Sequence, residues 1–434
     1  METIIRKSGY VLATLILVTT LAQNANAQLS LDGEYRTRTE LNRGLGNLAD
    51  EDSDAILYTS QRTRLNLNYE YEDLTTALSI QDVRTWGGEG IYSGTGVWGD
   101  STGLDIHKAW FEYQFTDRFA LKAGRQVFNY DDGRILSWRN WNQYGLSYDA
   151  ALFKFEPENW KIHLGLSYNS RANPRFGDDR YYNDGNRFKT FNFLYAKHGL
   201  SNSLDVSLQA YSASYQGVFD SYDVNTMYTF GTYLDYTEGP LILEGSLYGQ
   251  TGTNETGQDI KAFMFTADGS YNTGAARFSA GIAYISGSDP ESSDYGSEDH
   301  TFDLMYGARH GYYGWMNHFT LIDRHTNNAG LIDIHPGVAY SFNSKSSLKL
   351  TYNMFWLAND VAVDGRIISD RSLGSELDAS FNYRLTDYAN ITAGLSWFEA
   401  TSTMEQLRGL RSGESAATYW GWLMLQFKPT FFES

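Results

Sequence analysis

Cysteine is absent from the 434 residues, and only 6 are proline. The first absence rules out a disulfide framework and fits an exported protein that needs none. After residue 27 no stretch is long and apolar enough for a membrane-spanning helix, and the mean hydropathy is −0.44. Together these exclude a helical membrane protein, but not a barrel, whose strands alternate and average out to polar. Linkers, low-complexity tracts and shifts of texture are also missing, which argues against a string of domains. What is plentiful is 32 Tyr, 24 Phe, 11 Trp and 41 Gly, a mixture that favours strands and tight turns over helices.

The N-terminus sets the compartment. Arg6 and Lys7 precede an apolar run within Gly9 to Ala22, and Ala25-Asn26-Ala27 is a small-x-small cleavage site. Residues 1–27 are therefore expected to be a signal peptide, leaving 28–434 as one domain. The formal net charge is −18, and removal of Glu2, Arg6 and Lys7 makes it −19.

Period two runs along the whole chain. In QRTRLNLNYEYE, Gln61 to Glu72, one comb holds Arg62, Arg64, Asn66 and Asn68 and the other Leu65, Leu67, Tyr69 and Tyr71. About eighteen such segments, each near the ~10 residues that a tilted strand needs to cross an apolar band, can be read. Expected outward combs include Ala109, Phe111, Tyr113, Phe115; Ile162, Leu164, Leu166, Tyr168; Phe191, Phe193, Tyr195; Leu377, Ala379, Phe381, Tyr383; and Leu423, Leu425, Phe427. Short connections such as Glu72-Asp73, Glu238-Gly239-Pro240 and Thr386-Asp387 alternate with long ones, among them 85–103, 127–146 and 286–330. That rhythm predicts an all-β transmembrane antiparallel barrel in the bacterial outer membrane, with short periplasmic turns and long extracellular loops. A soluble β-sandwich also alternates, yet its core size is capped and its edge strands need protection. The chain closes on YWGWLMLQFKPTFFES, whose Phe427, Phe431 and Phe432 resemble the aromatic last strand read by the barrel insertion machinery.

Eighteen strands enclose a channel, so function is expected in the inward comb. Arg36 and Arg38, then Arg62 and Arg64, put four guanidiniums on adjacent rungs, suited to carboxylate or phosphate. Lys108, Lys122, Lys161, Arg277, Lys349 and Arg384 are further inward candidates. The competing reading pairs the arginines with Asp32, Glu34, Glu70, Glu112, Glu376 and Asp378 in ladders that only stiffen the wall. Much of the negative charge lies in loops, at Asp50 to Asp54, Gly177 to Arg180 and Ser288 to His300. These acidic loops are candidates for a divalent cation shared with lipopolysaccharide; no other cofactor is expected. Arg134, Arg139, Trp138 and Trp141 in the 127–146 loop suit a sugar ring stacked on tryptophan beside arginine, or a loop packed on the inner wall.

An enzyme would need more than this. The eight histidines form no HExxH-type pair, no GxSxG occurs, and Asp131-Asp132-Gly133 lacks the remaining ligands of a calcium loop. No catalytic residue is assigned. A barrel enzyme and a soluble β-rich binding protein stay as the rival classes.

AGRQVFNYDDGRILSWRNWNQYGLSYDA at 123–150, with QRTRLNLNYEYE, SIQDVRTWGG, HKAWFEYQF, GARHGYYGWMNHF, AGLIDIHPGV and the terminal QFKPTFF, resembles the alginate export family of outer-membrane porins. The resemblance implies an eighteen-stranded barrel with an arginine-lined pore through which an anionic polysaccharide passes. The chain as a whole is read as a monomeric or weakly associated barrel in the lipid and lipopolysaccharide of the outer membrane, conducting anionic saccharides passively. Carried onto this chain, its basic positions are Arg62, Arg64, Arg84, Arg125, Arg134 and Arg139. Simple alternation puts Arg125 with Leu121 and Ala123, on the lipid side, unless a bulge shifts the register. The alternative in the same architecture is a general diffusion or nutrient-uptake porin with a mixed-charge lumen.

Overall fold

A computed structural model describes residues 27–88, 104–169, 188–216 and 223–434. The expected signal peptide, apart from Ala27, and the acidic stretch Gly177 to Arg180 lie outside the described residues. Alternation becomes a series of long antiparallel strands: β1 (Ala27–Arg43), β2 (Ile56–Tyr71), β3 (Leu74–Thr85), β4 (Leu104–Thr116), β5 (Phe119–Gln126), β6 (Tyr148–Phe155), β7 (Trp160–Tyr168), β8 (Thr190–Gly199) and β9 (Leu204–Gln216). They continue as β10 (Val224–Glu238), β11 (Leu241–Thr253), β12 (Asp259–Thr273), β13 (Ala276–Ile285), β14 (Leu331–Ile334 and Gly337–Ser341), β15 (Ser346–Trp356), β16 (Ser372–Thr386), β17 (Ala389–Ala400) and β18 (Thr418–Phe427). Each pairs with the next, and β18 returns to β1 from Tyr35↔Phe427 to Arg43↔Tyr419, closing an eighteen-stranded barrel. His335-Pro336 splits β14 because proline has no N–H for the ladder. The last segment, Thr430–Glu433, continues along β1.

At one end the connections are turns of two to four residues; at the other they run from five to 45. Leu65, Leu67, Phe111, Leu166, Leu377 and Leu423 all stand exposed on the outer surface, as a hydrocarbon-facing comb must. One predicted comb is reversed. Phe191, Phe193 and Tyr195 on β8 are buried inside the barrel, while Leu194 is exposed outside. The reason is local: this part of the lumen is filled, and Phe193 and Tyr195 pack against Phe128 and Tyr130 of the 127–147 loop, with Phe128 and Phe193 centroids 5.0 Å apart, while Phe191 packs on Tyr306 of the 286–330 loop at 5.0 Å. An inward apolar comb is stable where protein covers it.

Two loops produce that filling. Residues 127–147 and 286–330 fold inward and meet, with Tyr306 N–H donating to the Ile135 carbonyl (3.1 Å) and Ala308 N–H to the Gly133 carbonyl (2.8 Å). A Cβ on Gly307 would stand 1.8 Å from the Arg134 carbonyl oxygen, so only glycine permits this approach.

Candidate functional site

The four arginines predicted on β1 and β2 do face inward and come together, and each is engaged by the 127–147 loop. Arg36 donates from Nη1 to the Asn140 carbonyl (2.8 Å), from Nη2 to those of Trp141 (3.1 Å) and Asn142 (2.9 Å), and from Nε to Gln143 Oε1 (2.9 Å). Arg62, fully buried, donates from Nη1 to the carbonyls of Asn140, Asn142 and Gln143 at 3.2–3.3 Å and from Nη2 to Glu34 Oε1 at 2.6 Å. Arg64 reaches the Tyr144 carbonyl (3.1 Å) and Gln81 (2.9 Å). Arg38 donates to the Trp141 carbonyl (3.1 Å) and Glu40 (2.8 Å), and its guanidinium lies 4.4 Å from the Trp141 ring centre. Five consecutive carbonyls thus turn to one cationic wall. Arg139, in the left-handed region at φ 45°, starts this turn.

Three strands round the wall from β1 the hydrogen-bonding role is inverted. Glu376 on β16 is buried and its Oε1 accepts the Met316 N–H at 2.7 Å. Asp378, two residues on, accepts from Asn353 (2.9 Å) and Ser396. Gly314, at φ +77°, lets the 286–330 loop come this close, since a Cβ there would stand 2.5 Å from the Glu376 carboxylate.

The remaining predicted residues divide. Arg134 is buried between Asp132 (2.9 Å) and Asp268 (2.6 Å), under the Tyr312 ring, and Asp268 also holds His335 Nε2 (2.8 Å). Burial raises the Asp132 carboxyl above the ordinary aspartate range, with Arg134 opposing. Arg139 donates to the carbonyls of Gly307 (2.8 Å) and Met305 (3.0 Å), tying loop to loop. Trp141 stacks on His310, centroids 4.7 Å apart, and burial holds that imidazole down at about 4. Lys122 faces the lumen over the Trp110 ring at 3.6 Å, and Arg384 reaches the Ser344 carbonyl (3.1 Å) at a periplasmic turn.

Two carried-over positions do not line the pore. Arg84 pairs with Asp82 in the outward comb of β3, opposite Gln61, and Arg125 pairs with Asp149 (3.1 Å) in the outward comb of β5. No register shift occurs between Ala120 and Gln126, so plain alternation decides for Arg125. Both stand at the loop end of the barrel, where charge meets lipid headgroups rather than solute.

Among the cavities between the loops and the wall, two adjoin each other. One, about 430 Å³, is bounded by Arg134, Arg277, His335, Lys349 and Trp315; the other, about 930 Å³, by Trp138, Arg139, Trp141, His310 and Trp422. Asp132, Gly311, Trp315 and Lys349 border both. Sequence reasoning missed Trp315 and the carbonyl run of 140–144, because main-chain acceptors leave no mark in the residue pattern. Among the described residues, Asp294, Glu298 and His300 bring ligand atoms within 4.8 Å of one another in the acidic stretch predicted for a cation, although Glu298 already pairs with Lys261 at 2.6 Å.

The sequence profile of the alginate export family matches residues 27–417. The chain belongs to that family. Among solved structures, Acinetobacter baumannii OccAB1 is similar with a TM-score of 0.62 at 11% identity, over 94% of this chain and 97% of that one. Pseudomonas aeruginosa OccK11 (OpdR) gives 0.58 at 12%, over 94% and 97%, and P. aeruginosa OpdK with vanillate gives 0.58 at 10%, over 94% and 99%. At such identities the likeness is one of fold. Among curated proteins none matches the sequence. This alginate export family member is an outer-membrane β-barrel channel.

Proposed function

We propose that the barrel conducts anionic saccharides passively, by diffusion past cations that replace lost hydration without holding the solute tightly. The carrying observation is an asymmetry of pairing in the lumen. Glu34, Glu40, Glu112, Glu244, Asp268 and Asp378 each accept a hydrogen bond from a neighbouring side chain, several from arginine or lysine. Lys108, Lys122, Lys161, Arg277 and Lys349 have no carboxylate at ion-pair distance among the described residues, although Asp378 lies near Lys349 and Glu112 near Lys122; this supports a basic surplus along this part of the conduit. The cavity sizes suit a small molecule. A polymer requires the 127–147 loop to leave its arginines.

The test is the zero-current potential of the full mature chain in planar bilayers across a salt gradient, together with swelling of proteoliposomes in a uronate and in a neutral sugar. Anion preference and faster uronate entry are expected. Cation preference overturns the reading and leaves the alternative, a general or nutrient-uptake porin, which is favoured by the presence of Asp132, Glu244, Asp268 and Asp378 around the same cavity as Arg277 and Lys349.

A further inference from the structure

We propose that Arg277, Lys349 and Trp315 form a binding subsite for a single acidic sugar ring, with the carboxylate taken by the two cations and the ring face by the indole. This rests on the anionic-saccharide reading and narrows the solute to small sugar acids.

Arg277 on β13 and Lys349 on β15 lie on one rung, on either side of Ala339 on β14. Their Cα atoms are therefore two strand spacings apart, roughly 9–10 Å, a span that two long flexible side chains close onto one carboxylate. The residue between them is an alanine, so nothing bulky fills the gap. Neither cation has a hydrogen-bond or ion-pair partner among the described residues. The acids around the same cavity are already engaged: Asp268 by Arg134 and His335, Asp378 by Asn353 and Ser396, and Glu244 by the Tyr233 hydroxyl (2.5 Å). A carboxylate entering the cavity thus meets two cations with no ion pair of their own, Lys349 with Asp378 nearby, beside anions that already accept hydrogen bonds.

Trp315 supplies the second half of the recognition. It borders both cavities, so a solute moving from one to the other passes it. Its ring is in no aromatic pair among the described residues, unlike Trp141, Trp420 and Trp422, which pack on one another. The backbone beside it is fixed by Glu376 through Met316. A partly buried indole that packs on the core and borders both cavities is a platform for the C–H face of a sugar.

Ring and charge must both be present for full recognition, which sets the experiment. The purified full mature chain is placed in planar bilayers, and blockade of its single-channel current is titrated with D-glucuronate, D-glucose and acetate. Glucuronate is expected to half-block at about tenfold lower concentration than acetate, and glucose to give no blockade. The Arg277→Gln/Lys349→Met double substitution raises the glucuronate half-blocking concentration by about tenfold or more, Trp315→Leu brings it to the acetate value, and Lys349→Arg keeps blockade. Each single substitution repeats the comparison with a smaller rise, should the double variant not close into a barrel. An unchanged half-blocking concentration in the double variant, or blockade by glucose equal to that by glucuronate, overturns the subsite while the anion channel stands. A wild-type channel that carries cations and no glucuronate overturns both.

Discussion

The β1–β2 wall and the β16 wall solve one problem with opposite hydrogen-bonding roles. On the first, four arginines hold a loop by its carbonyl oxygens; on the second, Glu376 holds another loop by an amide N–H. Main chain carries donors and acceptors at nearly every residue, so a wall of side-chain donors or of acceptors can anchor a loop whatever the loop's sequence. The arginine wall makes more bonds, and they are charge-assisted. Titratable side chains in this lumen therefore fall into two sets, one that positions loops and one, with Arg277 and Lys349 in it, that is left for solute.

The comparison breaks most visibly at Arg62. Arg62→Leu takes the charged partner from Glu34 and the only side-chain donor described for the Gln143 carbonyl, while Asn140 and Asn142 keep Arg36, and loss of one partner of a buried charge pair costs about 3–5 kcal/mol; a lowered urea midpoint of the detergent-folded barrel is the check. The outer face offers a control on which side of the sheet is dry. Leu67→Arg is expected to cost about 2–4 kcal/mol in lipid, whereas Asn66→Arg, pointing into water, is mild. On the acidic wall the expected effect is smaller: Glu376→Leu strands the Met316 N–H, about 1–3 kcal/mol, and Glu376→Gln keeps an acceptor there and restores most of it. Equal losses in the two Glu376 variants would show that charge, rather than an acceptor, holds that loop.

Acid sharpens the contrast further. His310 stacks on Trp141 beside Arg38, and burial keeps it neutral to about pH 4 against an ordinary value of 6.5. A depressed histidine means the unfolded chain binds the proton first. Stability is then full above pH 6.5 and lost as pH falls from there towards 4. A pH series of the urea midpoint reads this slope, and His310→Phe should flatten it. Smallest of all, Arg84→Ala and Arg125→Ala remove half-exposed rim pairs worth roughly 0–1 kcal/mol and leave conductance and selectivity unchanged.

Architecture was legible because lipid forces every strand into period two and every turn to one end. Where protein rather than lipid or water set the environment, the pattern misled. Phe191, Phe193 and Tyr195 read as lipid-facing because an apolar comb looks the same against an acyl chain as against Phe128. Arg36, Arg38, Arg62 and Arg64 were placed correctly on the inner wall, but their partners are backbone atoms some eighty to a hundred residues away, and backbone has no letter. Arg125 shows the converse: motif resemblance put it in the pore, and its own parity put it outside.

The most direct measurement compares single channels of Arg62→Met and Lys349→Met in the same salt gradient. Division of the lumen charge predicts that Arg62→Met raises conductance and current noise, as the 127–147 loop loosens, with the anion preference retained. Lys349→Met should instead shift the zero-current potential towards cations without added noise. A shift of selectivity from Arg62→Met with conductance and noise unchanged, and none from Lys349→Met, would contradict that division.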